Sequence, residues 1–159
     1  MRGSKKTPQR DIMPDVKYDS VLLAKFINQV MHGGKKSLAQ TIVYSALDKA
    51  SEMTKKKQLE IFEEAVKTVQ PQVEVRSRRV GGANYQVPLP VSVKRSTALA
   101  FRWIIAAART RKAKPMDEKL ATVIAESSQN LGDAIKKRDE MHRMAEANKA
   151  FAHFARFAK

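Results

Sequence analysis

A single, mainly α-helical domain is the fold this sequence predicts: a bundle of about six helices, with a two-stranded β-hairpin protruding between the third and fourth. Three observations predict it. Apolar residues recur at helical spacing on both sides of residues 73–90, and within that stretch the period falls to two. Glycine pairs stand at two points where the chain must turn, Gly33-Gly34 and Gly81-Gly82. Finally, 159 residues with 43% hydrophobic side chains are enough for one packed core and too few to expect two.

Residues 1–18 carry Arg2, Lys5, Lys6, Arg10 and Lys17 among prolines and read as an extended basic arm. The helical domain follows over residues 19–153. Asp19 or Ser20 can cap a first helix whose inner face is Leu22, Leu23, Phe26, Ile27, Val30 and Met31, and Gly33-Gly34 stops it. A second helix, about Lys36 to Thr54, repeats Leu38, Ile42, Ala46 and Ala50 at helical spacing. Lys55-Lys56-Lys57 reads as a solvated connector. A third helix turns Leu59, Phe62, Val66 and Val69 inward and ends before Pro71.

Alternation then sets Val73, Val75 and Ser77 on one face of a strand, with Glu74, Arg76 and Arg78 on the other. Val80, Gly81 and Gly82 form the tip, and Tyr85, Val87 and Leu89 alternate on the return strand. Pro88 and Pro90 lack an N–H, so that strand is expected at an edge. A lone two-stranded ribbon is marginal, so its base should pack on the helices while its tip projects. The fourth helix, near Ser92 to about Arg111, should bury Leu99, Trp103 and Ala106. A fifth, about Asp117 to Asn130, uses Leu120, Val123 and Ile124. Gly132 ends it, Asp133 caps the last helix, and residues 154–159 form a C-terminal tail.

Charge points to function. The formal net charge is +15, and the 41 residues from Arg76 to Met116 hold ten Lys or Arg and no Asp or Glu. A positive excess concentrated in this way is a field aimed at a polyanion, and nucleic acid rewards it through counterion release. The chain contains no Cys, which excludes disulfides and thiolate metal sites. No secretory signal is expected at the N-terminus. The most apolar stretch, Ala98 to Ala108, is interrupted by Arg102 and too short to span a bilayer. The setting expected is cytoplasmic, with no membrane and no small-molecule substrate.

Arg76, Arg78 and Arg79 on the hairpin are the sharpest signal, because a planar guanidinium suits phosphate and a narrow ribbon enters grooves closed to a bundle. Lys94, Arg95, Arg102, Arg109 and Arg111 follow along the fourth helix, with Lys112 and Lys114 just beyond. Arg95, Arg102 and Arg109 are seven residues apart and share a face. On the last helix Lys136, Lys137, Arg138 and Arg143 are interleaved with Asp139, Glu140 and Glu146, a pattern equally suited to an ordinary charged surface. Lys35 and Lys36 lie between two helices as candidate phosphate contacts. The surrounding Gly33-Gly34-Lys35-Lys36-Ser37 is no nucleotide loop, since neither the upstream glycine nor a preceding strand is present. His32, His142 and His153 have no carboxylate or third imidazole at ligand spacing, and no nucleophile and base are paired. Neither a metal, a cofactor nor catalysis is expected.

Several motifs occur together in order: Leu22-Leu23-Ala24-Lys25-Phe26-Ile27-Asn28, Gly34-Lys35-Lys36-Ser37, Ile42-Val43-Tyr44-Ser45-Ala46-Leu47, Val73 through Gly82, Tyr85-Gln86-Val87-Pro88, and His142 through His153. These closely resemble the bacterial form of the small-subunit ribosomal protein seven family, from about Pro14 to His153. Met1 to Gln9 and the segment from Phe154 onward match no motif of that family placed here. The resemblance implies a mostly helical domain with a protruding hairpin and a structural, non-enzymatic role. It further implies direct binding to the 3′ major domain of small-subunit ribosomal RNA and nucleation of head assembly. The hairpin would then lie near the exit-site tRNA and the mRNA path, with small-subunit proteins nine and eleven as neighbours. By the same resemblance Lys35, Lys36, Arg76, Arg78, Arg79, Lys94, Arg95 and Arg102 fall in regions facing RNA. Two other classes compete. An architectural DNA-bending protein would favour an apolar wedge at the ribbon tip, where this chain has Arg79-Val80-Gly81-Gly82-Ala83. An RNA-processing enzyme would need convergent carboxylates or a His/Lys pair that the basic segment does not offer.

Overall fold

The computed structural model describes residues 11–80 and 82–157, with the side chains of Val80 and residues 155–157 outside that description. Lys5, Lys6, Arg10 and the tip glycine Gly81 therefore lie outside the described residues. In chain order the elements are α1 (Val21–Val30), α2 (Lys36–Thr54), α3 (Gln58–Val69), β1 (Val73–Val80), β2 (Ala83–Pro90), α4 (Val93–Thr110), α5 (Met116–Ser128), α6 (Asp133–Ala147) and a closing 3₁₀ helix (Lys149–Phe157). This is the helical bundle with an inserted hairpin that the sequence predicts.

Helix α5 packs against α2, α3, α4 and α6. It can do so because Leu120, Ala121, Val123, Ile124 and Ala125 bury two adjoining faces of one helix. Around it Phe26, Phe62 and Phe101 bring three helices together, with ring centroids 5.1 Å (Phe26–Phe62), 5.2 Å (Phe26–Phe101) and 6.2 Å (Phe62–Phe101) apart. Tilted and edge-on rings at such spacings add about 0.5–1.5 kcal/mol per pair beyond the area they bury.

The ends of the helices follow their residues. Ser20 caps α1, its hydroxyl accepting from the Leu23 amide at 3.3 Å. The end of the basic arm does not stay extended. Asp15 is buried and accepts from the Lys17 and Tyr18 amides, each at 3.2 Å, and from the Tyr44 hydroxyl at 2.7 Å. Burial, aided by that bond, pushes the Tyr44 phenol up to about 12.

Three expectations are corrected. Leu38 is 54% exposed, and α2 buries Ala39, Val43, Ala46, Leu47 and Ala50 instead. Apolar residues occupy two overlapping stripes of α2, and the stripe one residue on is the one that meets α5. Ala106 is also exposed. Helix α4 buries Leu99, Ala100, Ile104, Ile105, Ala107 and Ala108, while Trp103 is half-buried at the edge. Gly132, with φ +91°, stands in the cap position of α6; Asp133 is its first residue and makes no side-chain capping bond, binding Lys136 instead.

The hairpin is antiparallel, with Val73 opposite Pro90 and Val80 opposite Ala83. This register carries a result that reading each strand alone does not give. Glu74, Arg76 and Arg78 stand opposite Leu89, Val87 and Tyr85, so the charged side of β1 and the apolar side of β2 are one face. At its base α6 holds the hairpin: the Gln72 amide donates to His142 Nε2 at 3.1 Å and the Val75 amide to Met141 Sδ at 3.4 Å. Farther out the 3₁₀ helix covers β2, its rings resting on Tyr85. Beyond Tyr85 the ladder ends with Arg79 opposite Asn84 and Val80 opposite Ala83.

Candidate nucleic-acid interface

Four groups of cations result. The first lies at the α1–α2 turn, where Gly33 and Gly34 take φ of +60° and +75°. A Cβ at either would meet nothing within 4 Å, so the requirement there is conformational rather than steric. The turn delivers Lys35 as the cap of α2 and Lys36 as its first residue, both exposed. The start of α2 has no side-chain capping bond and no acid in its first turn. A helix start without a side-chain cap, the positive end of its dipole and two lysines therefore coincide.

The hairpin holds the second group, and here the three arginines part company. Arg79 is exposed with no hydrogen-bond or ion-pair partner among the described residues. Arg76 donates through Nε to Glu74 at 2.6 Å, and Arg95 at the start of α4 reaches the other oxygen of the same carboxylate at 3.1 Å. Glu74 is only 5% exposed. Burial opposes its ionisation, but the bonds from Arg95 and Arg76 together outweigh it and hold the carboxyl below its ordinary value. Arg78 is half-buried, and its Nε is buried without a hydrogen-bond partner.

The third group lies on α4. Lys94, Arg95, Arg102 and Arg109 are all exposed, and no acid occurs in its first turn. Lys94, Arg102 and Arg109 have no ion-pair partner among the described residues, whereas Arg111 just past the helix end pairs with Glu126.

The fourth group, on α6, is largely satisfied from within. Lys136 pairs with Asp133 at 3.0 Å and Lys137 with Glu140 at 2.7 Å, and each lysine holds its carboxyl below the ordinary value. Arg138 donates to the Thr68 carbonyl at 2.6 Å and to Asp139, with its side chain 17% exposed. It ties α6 to α3. Arg143 remains exposed.

Sequence reasoning missed Glu74 and Glu126. Both lie outside the acid-free segment in the chain and reach into it in space. Among the described residues no cluster of His, Asp and Glu could hold a metal ion, and no helix is long and apolar enough to cross a membrane.

Comparison with known proteins adds an independent finding. Residues 2–149 match the family described as Ribosomal protein S7p/S5e. The match takes in the N-terminal arm that carried no recognised motif and stops before the aromatic end of the chain. Small ribosomal subunit protein uS7 of Chloroflexus aggregans is 55% identical over 148 residues, 93% of this chain and 94% of that one. The protein of the same name from Dictyoglomus turgidum is 59% identical over 145 residues, 91% and 93% of the two chains. That from Thermotoga petrophila is 57% identical over 145 residues, 91% and 94%. With a bundle, an inserted hairpin and a cationic surface, the chain belongs to the ribosomal protein S7p/S5e family and is a structural ribosomal protein of the small subunit.

Proposed function

We propose that the protein binds the 3′ major domain of small-subunit ribosomal RNA directly and nucleates assembly of the subunit head. Its hairpin then stands near the exit-site tRNA and the mRNA path, with small-subunit proteins nine and eleven as neighbours. Exposed cations with no carboxylate partner among the described residues occur at Lys25, Lys55, Lys57, Lys67, Lys112, Lys114 and Arg143 as well as in the groups above. The observation that carries this reading is that six of this kind, Lys35, Lys36, Arg79, Lys94, Arg102 and Arg109, fall on the α1–α2 turn, the hairpin and α4. There the first turns of α2 and α4 hold no acid, and residues 76–116 hold none at all. Other cations are neutralised within the fold, as at Lys49–Asp117 and Lys56–Glu64. Bare cations grouped on these three elements favour an external polyanion.

RNA helices hide their base edges in a deep, narrow groove, so cations on a rigid bundle read phosphates and 2′-hydroxyls at the positions a folded junction presents. Specificity comes from the spacing of the α1–α2 turn, the hairpin and α4, which the common core holds fixed. Mixing the protein with the isolated 3′ major domain fragment across a salt series tests this. Saturable one-to-one binding should survive excess tRNA and duplex DNA near physiological salt. If duplex DNA displaces the fragment as readily as the fragment displaces itself, the surface is a general polyanion binder and the proposal fails.

A further inference from the structure

The 3₁₀ helix Lys149–Phe157 is long for its kind. Such helices have poorer hydrogen-bond geometry than an α-helix and rarely run past three or four residues, so something outside the segment must hold it. The rings supply that hold. With three residues per turn, positions i and i+3 eclipse, and Phe151 and Phe154 lie nearly parallel, 10° and 6.2 Å apart. Both rest on Tyr85 of β2, each with its centroid 5.1 Å from that ring.

Tyr85 stands directly opposite Arg78, so the rings close over the side of the hairpin that carries this arginine. Arg78 is the one hairpin arginine that is not exposed, and its Nε is buried unpaired. A desolvated guanidinium donor with no acceptor carries a penalty that a phosphate oxygen would remove. Tyr85, Phe151 and Phe154 lie outside the main core cluster, so this contact can open without disturbing the bundle.

We infer that the 3₁₀ helix is a latch closed over Arg78, and that RNA engagement of the hairpin opens it. The latch rests on the RNA-binding reading above. It makes the hairpin's cationic face a two-state element: rings docked and Arg78 covered, or rings released and Arg78 on phosphate. RNA binding shifts the second state up by as much as Arg78 gains there.

Hydrogen exchange on the full chain, alone and with the 3′ major domain RNA fragment, tests the latch together with affinities of F151A/F154A, R78A and the triple variant. RNA should speed exchange at the Phe151 amide, which bonds the Asn148 carbonyl at 2.9 Å, while slowing it in the α1–α2 turn and α4. F151A/F154A should bind roughly five- to tenfold more tightly than the unmodified chain, because the two ring contacts on Tyr85 no longer have to be broken when RNA engages the hairpin. In the R78A background the same ring substitutions should change affinity less than twofold. Unchanged or slower exchange at Phe151 on RNA binding, or weaker binding by F151A/F154A, would make the segment a brace and overturn the latch. Failure of every chain to protect the turn and α4 would instead remove the RNA reading, and the latch with it.

Discussion

Glu74 shows most clearly how one residue shapes this surface. A carboxylate so nearly buried is tolerable only because Arg76 and Arg95 bond its two oxygens, and in return two exposed arginines are engaged within the fold. Replacing Glu74 with Gln should cost about 1–3 kcal/mol at pH 7, read by urea denaturation, because two guanidiniums lose an ionic partner. The sign of the pH dependence follows from the lowered carboxyl. Its stabilisation is complete above the ordinary value of 4.5 and is lost as pH falls through the lower folded value. The unmodified chain should therefore lose stability steeply in that acid window, and E74Q less so; parallel acid profiles would contradict the role. At the same scale Arg138 and Arg102 separate structure from binding. Arg138→Ala should lower the urea midpoint and leave the salt slope of RNA binding unchanged. Arg102→Ala should do the reverse, reducing the slope by roughly 0.7–0.9. The sequence makes both residues candidates. It cannot tell them apart, because the Thr68 carbonyl that claims Arg138 lies 70 residues away.

At the level of elements, the helices and the hairpin were legible because local signals coincide there. Ser20 precedes an amphipathic run, glycines punctuate turns, and the period falls to two over a single stretch. Ser20→Ala should cost about 1 kcal/mol by thermal or urea unfolding, as the Leu23 amide loses its acceptor. What local signals could not supply is the relation between elements. Alternation sorts residues within β1 and within β2, but only the register reveals that Arg78 and Tyr85 share a side. Leu38 and Ala106 were misjudged for a related reason. Each helix carries more apolar residues than one face needs, and the packing partner decides which are buried. The aromatic end was legible as composition, while its docking on Tyr85 depends on a 3₁₀ course that the sequence pattern alone does not distinguish from α.

The whole molecule balances an apolar core against its own charge. Phe26, Phe62 and Phe101 join α1, α3 and α4, so Phe62→Ala should cost about 3–5 kcal/mol and disturb the relative positions of the turn and α4 together. A net charge of +15 repels itself, and the bare cations of the α1–α2 turn, the hairpin and α4 add to that repulsion on the surfaces proposed to meet RNA. Salt should therefore act with opposite signs, raising the stability of the protein alone while weakening its RNA complex. The central claim is that these bare cations, and not those engaged within the fold, form the interface. The most direct measurement is the salt slope of binding to the 3′ major domain fragment for two multiple variants. One removes Lys35, Lys36, Arg79, Lys94, Arg102 and Arg109; the other removes Arg111, Lys136, Lys137 and Arg138. The first should lose roughly 0.7–0.9 of slope for each phosphate contact it made, and the second should keep the slope of the unmodified chain. Equal losses per charge removed in the two variants would mean that net charge alone binds the RNA, and would contradict the account.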